Sequence, residues 1–494
     1  MARAGFGAGA VLALLCCAAT VPSRAADVPP APGARSRRAL LAGTEKQQPW
    51  VGIHLYPYNA YDRTSPAGRA PQGARAGGDP DPVPGLASPD APVINPRDAY
   101  PKGGSPKPPK IKSATMEDLV MGQGYPLETY PVETSDGFIL RPYRIPFGVK
   151  NATKDAGPRP ALLLHHGVTL ASSSFVVLDP TSSIAFYLAD AGFDVWLANT
   201  RGNTYSRGNR QYKDTDPGYW SFSIDELALI DLPSQIDFIL GKTGQKSLTV
   251  VGHSQGCTLP LMLMSERPEY NQKINLLMML GPVTFIHHIQ APFLKQQAVT
   301  KSAQLLADAG IGPFIPNEVT TQLVSGCKLP YDSQWCYDVV NFMFYGPSWF
   351  MSSYDFPRVA ATWPSTVSVR NLLHWSQMWH GRRGLQMFDF GRACPGSSGS
   401  DPKPYSETCN AAKYGQDSPP AYDLSRVTTK AVVLEAETDI MATKEDVAQL
   451  MAAWKADVRV HKVIPRAAHM DFVWARAPPM RQDIIDLLWA EVPR

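Results

Sequence analysis

Along most of its length the chain alternates between short unbroken apolar runs and longer stretches in which apolar residues recur every three or four positions. An unbroken run bounded by turn residues suits a strand buried on both faces, and the wider spacing suits a helix with one buried stripe. Ala161 to Leu164, Phe193 to Ala198, Ser247 to Val251, Leu276 to Leu280, Ala431 to Ala436 and Val458 to Ile464 are predicted strands. Ile184 to Ala191 is a predicted helix stopped by Gly192, and Asp225 to Leu240 one bent by Pro233. Lys444 to Trp454 carries Val447, Leu450, Met451 and Trp454 on one stripe, with Thr443 and Asp446 placed to cap it. A final helix is expected from about Met480 to Trp489. Buried strands alternating with helices predict a mostly parallel sheet covered on both faces.

The pattern breaks between about Phe285 and Arg392, a loop-rich stretch dense in aromatics such as Phe342-Met-Phe-Tyr345, Trp363, Trp375 and Trp379. Residues 285–415 are therefore expected to be an insertion, a cap over the sheet's active edge, dividing a core of residues 116–284 and 416–494. Residues 26–115 are rich in Pro, Gly, Ala and Arg without a period, the composition of a largely disordered leader. Residues 1–25 fit a secretory signal peptide: Arg3, the small apolar stretch Ala8 to Ala19, and Ser23-Arg24-Ala25 before a cleavage point. That predicts entry to the secretory pathway, with secretion or a lysosomal or vacuolar lumen as the destination. No other apolar run is long enough to span a bilayer, so the mature chain is expected to be soluble.

Composition narrows the classes further. The formal net charge of +3 over 494 residues is nearly balanced, and no basic run interleaves with aromatics, which argues against a nucleic-acid partner. No Cys-x2-Cys or paired-histidine spacing points to a metal. In an oxidising compartment Cys327 with Cys336 and Cys394 with Cys409 lie near enough in sequence for two local disulfides, leaving Cys257 free; buried thiols are the alternative. Asn151-Ala-Thr153 is a glycosylation sequon in a polar turn.

Gly252-His253-Ser254-Gln255-Gly256 stands between a predicted strand and an apolar helical run. A strand, a sharp turn and a helix are what a nucleophile elbow needs: the turn lifts the serine hydroxyl above the sheet edge, and the glycines let strand and helix pass closely. A serine nucleophile needs a base and the base an orienting acid, in the chain order Ser, Asp or Glu, His. Asp439 follows strand 431–436 and His469 follows strand 458–464, so both sit where the chemistry requires. Glu435 lies within a strand and Glu437 just after one, while His461 is expected to be a packed or edge histidine. Asp471 is read as a cap of the final helix. The amide of Gln255, next to the serine, and that of Val168, in the loop after strand 161–164, are the candidate oxyanion donors.

With these residues assembled, the chain from about Met116 onward resembles the acid lipase family. The resemblance rests on Gly124-Tyr-Pro-Leu-Glu128, Thr134-Ser-Asp-Gly-Phe-Ile-Leu140, His166-Gly167, Asp190-Ala-Gly-Phe-Asp-Val-Trp-Leu197, Arg201-Gly-Asn203, the elbow, Asp439-Ile-Met-Ala442 and His469-Met-Asp-Phe-Val-Trp474. Cys327 and Cys336 have the spacing of a disulfide in that family's cap. The resemblance implies an α/β-hydrolase core with a mostly parallel sheet and an inserted cap and lid. It also implies hydrolysis of neutral lipid esters, triacylglycerol or steryl ester, through an acyl-enzyme. No metal or organic cofactor is called for, and contact with a lipid-droplet or membrane surface would be transient. A carboxylesterase or acyltransferase acting on small esters, and a non-catalytic lipid-binding protein on the same scaffold, stand as alternatives. Pro260 and the leader depart from the family pattern; Pro260 is expected to disturb the second turn of the helix after the serine.

Overall fold

The computed structural model describes residues 115–149, 159–315, 337–381, 384–392, 394, 409–455 and 457–492. Its main sheet has eight strands: β1 (Glu128–Thr129), β2 (Tyr143–Ile145), β3 (Ala161–His165), β4 (Asp194–Leu197), β5 (Leu248–His253), β6 (Ile274–Leu280), β7 (Ala431–Ala436) and β8 (Val458–Ile464). They lie in the spatial order β1-β2-β4-β3-β5-β6-β7-β8. From β4 across to β8 every pairing is parallel, with His165 opposite Gly252 and His253 opposite Leu280; β1 and β2 join antiparallel at one edge. Every residue of β3, β4, β5 and β7 is buried, which is why those strands read as unbroken apolar runs. At the far edge β8 alternates between more and less exposed positions, and His461 on it pairs with Glu435 of β7, an edge histidine as expected.

The longer helices that lie between or after the strands are α1 (Ile184–Asp190), α2 (Leu232–Thr243), α3 (Gln255–Glu266), α4 (Pro292–Val299), α5 (Ser302–Asp308), α6 (Val369–Gly381), α7 (Lys444–Ala453) and α8 (Arg481–Glu491). Thr443 caps α7 by accepting from the Asp446 amide, a contact of about 1 kcal/mol. Gly192, with φ of 106°, follows α1 where the expected stop lies.

Two helices differ from expectation. The stretch predicted as one helix bent at Pro233 begins at Ile224, widens into a π-turn at Leu227–Asp231 and resumes as α2, with Pro233 in its first turn. Proline has no N–H to return to the carbonyl four residues back, so the preceding turn loosens rather than the helix simply bending. In α3 the expected disturbance at Pro260 is absent: the helix runs unbroken from Gln255 to Glu266. The amide that Pro260 lacks would have met the Gly256 carbonyl, and that oxygen instead packs on the preceding strand, where a Cβ on Gly252 would lie 2.3 Å from it.

Between β6 and β7, α4 to α6 and their loops form what we call the cap; a two-stranded ladder of Pro313–Phe314 with Val367–Ser368 also lies there. Cys394 and Cys409 are disulfide-bonded, and Cys257 is a buried free thiol whose Sγ–H donates to the Gly252 carbonyl at 3.1 Å. Burial pushes that thiol's pKa far up, so it stays protonated. Residues 1–114, which hold the expected signal and all but the last residue of the expected leader, lie outside the described residues, as do Asn151, Cys327 and Cys336.

Candidate active site

Ser254 is the hinge between β5 and α3, with φ of 58° and ψ of −125°. A non-glycine residue held there stores on the order of 1–3 kcal/mol of strain, which its surroundings must balance. The Ser254 amide donates to the Leu280 carbonyl at 3.1 Å, and its own carbonyl accepts from Cys257 at 2.9 Å. A Cβ on Gly256 would lie 2.2 Å from the His165 carbonyl oxygen, so only glycine lets α3 pass β3 this closely.

The loops after β7 and β8 bring Asp439 and His469 together. His469 Nδ1–H donates to Asp439 Oδ2 at 2.7 Å, and both side chains are buried. The other carboxylate oxygen accepts from the amides of Met441 and Ala442, each at 2.8 Å, so the acid cannot swing away. His469 Nε2 is buried with no hydrogen-bond partner among the described residues. With Nδ1 carrying the proton, Nε2 presents a bare lone pair, and His469 and Ser254 line the same cavity. Burial pushes the neighbouring His253 down to about 3; it is therefore neutral, and its Nε2–H donates to the His469 carbonyl at 3.0 Å. A neutral neighbour does not oppose a positive charge forming on His469.

Val168 and Gln255 line that cavity beside Ser254. A Cβ on Gly167 would lie 2.7 Å from the Ser254 Cβ, so the Val168 loop rests directly on the serine. His166 holds this loop. Burial lowers its pKa to about 4, its Nδ1–H donates to the Gly167 carbonyl at 2.8 Å, and Nε2 accepts from the Asn203 amide group at 3.3 Å. Asn203 in turn belongs to the loop anchored by Arg201, whose guanidinium pairs with buried Asp231 and with Asp136.

The cavity measures about 330 Å³, and its walls are apolar, including Phe293, Leu294, Met343, Phe344, Trp363 and Trp379 from the cap. Three polar contacts to the cap were not foreseen from the sequence. Trp375 Nε1–H donates to Gln255 Oε1 at 2.8 Å, the Tyr345 carbonyl accepts from the His469 amide at 3.2 Å, and Ser348 Oγ–H donates to Asp471 at 2.6 Å. Asp471 is not the cap of the final helix. It opens the short helix Asp471–Trp474 and accepts from the Ala468 amide at 2.7 Å. Such contacts join residues more than a hundred positions apart and leave no local signature, although an acid two residues after the candidate base was a visible oddity.

Fold and site define the class: this is an α/β-hydrolase, with serine, acid and histidine in that chain order at the carboxyl ends of their strands. A family model described as alpha/beta hydrolase fold matches residues 160–475, and one described as partial alpha/beta-hydrolase lipase region matches residues 116–179. The chain is 35% identical to mouse gastric triacylglycerol lipase over 75% of its own length and 90% of that protein. It is 33% identical to human lipase member K, with 79% and 94% covered. It is 34% identical to human lysosomal acid lipase/cholesteryl ester hydrolase, with 76% and 90% covered. The chain belongs to the acid lipase family.

Proposed function

We propose that this protein is a carboxylic ester hydrolase, a lipase, that cleaves neutral lipid esters through an acyl-enzyme on Ser254. The observation that carries the reading is the buried His469–Asp439 pair, whose free Nε2 shares an apolar cavity with a serine at a strained turn. Ser254 Oγ attacks the ester carbonyl while its proton passes to His469 Nε2. Asp439 holds the Nδ1–H and stabilises the imidazolium. The oxygen that becomes negative is received by the amides of Gln255 and Val168. On collapse the C–O bond to the alcohol breaks, and the alcohol leaves with the proton from His469. Water, deprotonated by His469, then attacks the acyl-serine; the fatty acid leaves and Ser254 recovers its proton.

Triacylglycerol or steryl ester is the substrate class that the cavity favours. Its apolar walls suit an acyl chain and offer little to a small polar ester. On segments flanking the cavity, Leu305 and Phe342 are 64% and 61% exposed, large apolar side chains suited to transient contact with a lipid surface. Among the described residues no helix is long and apolar enough to cross a membrane. A signal at residues 1–25, a leader to residue 115 and a cap at 285–415 complete the reading, with the secretory pathway as the route. The test of chemistry is covalent labelling of Ser254 by a fluorophosphonate. Labelling lost in Ser254→Ala is expected; a wild-type protein that resists the reagent while related hydrolases react would leave only the lipid-binding alternative.

A further inference from the structure

The two amides assigned to the oxyanion share a feature that the core does not supply. Each lies beside a side chain held by an indole N–H from the cap. Gln255 Oε1 accepts from Trp375 Nε1 at 2.8 Å. Next to Val168 stands Thr169, whose Oγ1 accepts from Trp363 Nε1 at 3.2 Å and whose carbonyl accepts from the Ser365 amide at 2.7 Å. Thr169 has φ of 57°, a left-handed conformation that a β-branched residue rarely adopts unless its surroundings hold it there. The bonds to Trp363 and Ser365 supply such a hold, and they pin the residue that follows Val168 in the loop resting on the serine. Ser365 Oγ is itself anchored to the core, accepting from the Thr204 amide at 3.0 Å. Trp363 and Trp375 come from different cap segments, and both line the cavity that Ser254 lines.

We infer that the cap is a working part of the oxyanion hole, with Trp363 and Trp375 as positioning residues that orient the Val168 and Gln255 amides through Thr169 and the Gln255 side chain. This rests on the catalytic reading of Ser254 above. The cap then contributes to transition-state stabilisation as well as to binding the acyl chain, and its displacement lowers turnover even for an ester too small to need the cavity.

The test uses a soluble short-chain ester, full-length protein, and the variants Trp375→Phe, Thr169→Val and Thr169→Ser. Trp375→Phe and Thr169→Val each remove one hydrogen bond and keep most of the apolar bulk; Thr169→Ser keeps the accepting oxygen. One such bond is worth about a 3- to 10-fold effect. Trp375→Phe and Thr169→Val are each expected to lower kcat by about that factor with KM unchanged, and Thr169→Ser to stay near wild type. A boronic acid that forms a tetrahedral adduct on Ser254 should lose affinity by the same factor as kcat/KM. A merely structural role would not make inhibitor affinity follow turnover in this way. The two losses lie in different parts of the fold, Trp375 in the cap and Thr169 in the loop after β3, so misfolding of one variant leaves the other to decide. Unchanged kcat in the folded variants, with Ser254-dependent hydrolysis intact in wild type, overturns the inference. Wild-type protein showing no Ser254-dependent hydrolysis overturns the underlying reading and this inference with it.

Discussion

Around Ser254 the core has no spare volume: a methyl group on Gly252, Gly256 or Gly167 would lie 2.3, 2.2 or 2.7 Å from a neighbouring atom. On the cap side of the same serine lies a cavity of about 330 Å³ walled by side chains of very different shapes. The core holds its groups through backbone contacts and buried hydrogen bonds, such as the two amides on Asp439. The cap presents area, from short helices and a π-turn at Asn341–Tyr345. Bond-making chemistry demands sub-ångström placement, whereas an acyl chain is satisfied by any dry wall of adequate extent. The two regions should therefore respond differently to substitution, and the difference can be pressed from its strongest consequence to its weakest.

Removing the acid should have the largest effect. Asp439→Asn keeps the shape of the site but forfeits the charge opposite the imidazole, and kcat on any ester should fall by about 10⁴-fold. A loss confined to long-chain substrates would break the distinction between core and cap. Next is Gly167→Ala, whose new methyl must displace either the serine or the Val168 loop. A misplacement of this size should cost about 10²-fold in kcat on long and short esters alike. Leu294→Asp, in the cavity wall, sharpens the contrast. It should lower hydrolysis of long-chain esters by about 10-fold or more while short-chain kcat stays within about 2-fold, because a desolvated carboxylate opposes only a chain that reaches it.

The smallest effect is one of pH. Burial raises Asp471 from the ordinary 3.8 to about 7, in spite of the Ser348 and Ala468 hydrogen bonds that favour its charged form. The folded state therefore holds a proton that the unfolded chain releases. Asp471's contribution to stability is complete below about pH 3.8 and is lost as pH rises to about 7. Asp471→Asn cannot ionise, so its melting temperature relative to wild type should rise across that window. A constant difference between the two proteins would contradict a buried, protonated Asp471.

How far the sequence carried the argument also follows this division. The central parallel strands were legible because a strand buried on both faces leaves an unbroken apolar run, and Ala431–Ala436 has the expected bounds; the alternating edge strand Val458–Ile464 has its expected bounds too. Ser254, Asp439 and His469 were legible as candidates because the elbow and the strand ends fix their order along the chain. The edge strands β1 and β2 were not, since two or three residues show no period. The π-turn before Pro233 was invisible because the sequence marks only the missing N–H and not how the helix accommodates it. Cap contacts such as Trp375 to Gln255, which join residues 120 positions apart, have no local pattern at all. Aromatic richness signalled that the cap would be apolar, but not which indole N–H would turn toward the serine.

The most direct test of the account is hydrolysis of emulsified long-chain triacylglycerol against a soluble short-chain ester, with Ser254→Ala as control, from acid to slightly alkaline pH. Strong activity on the emulsion that disappears in the variant is expected. Activity confined to the soluble ester, or emulsion hydrolysis that survives Ser254→Ala, would contradict it.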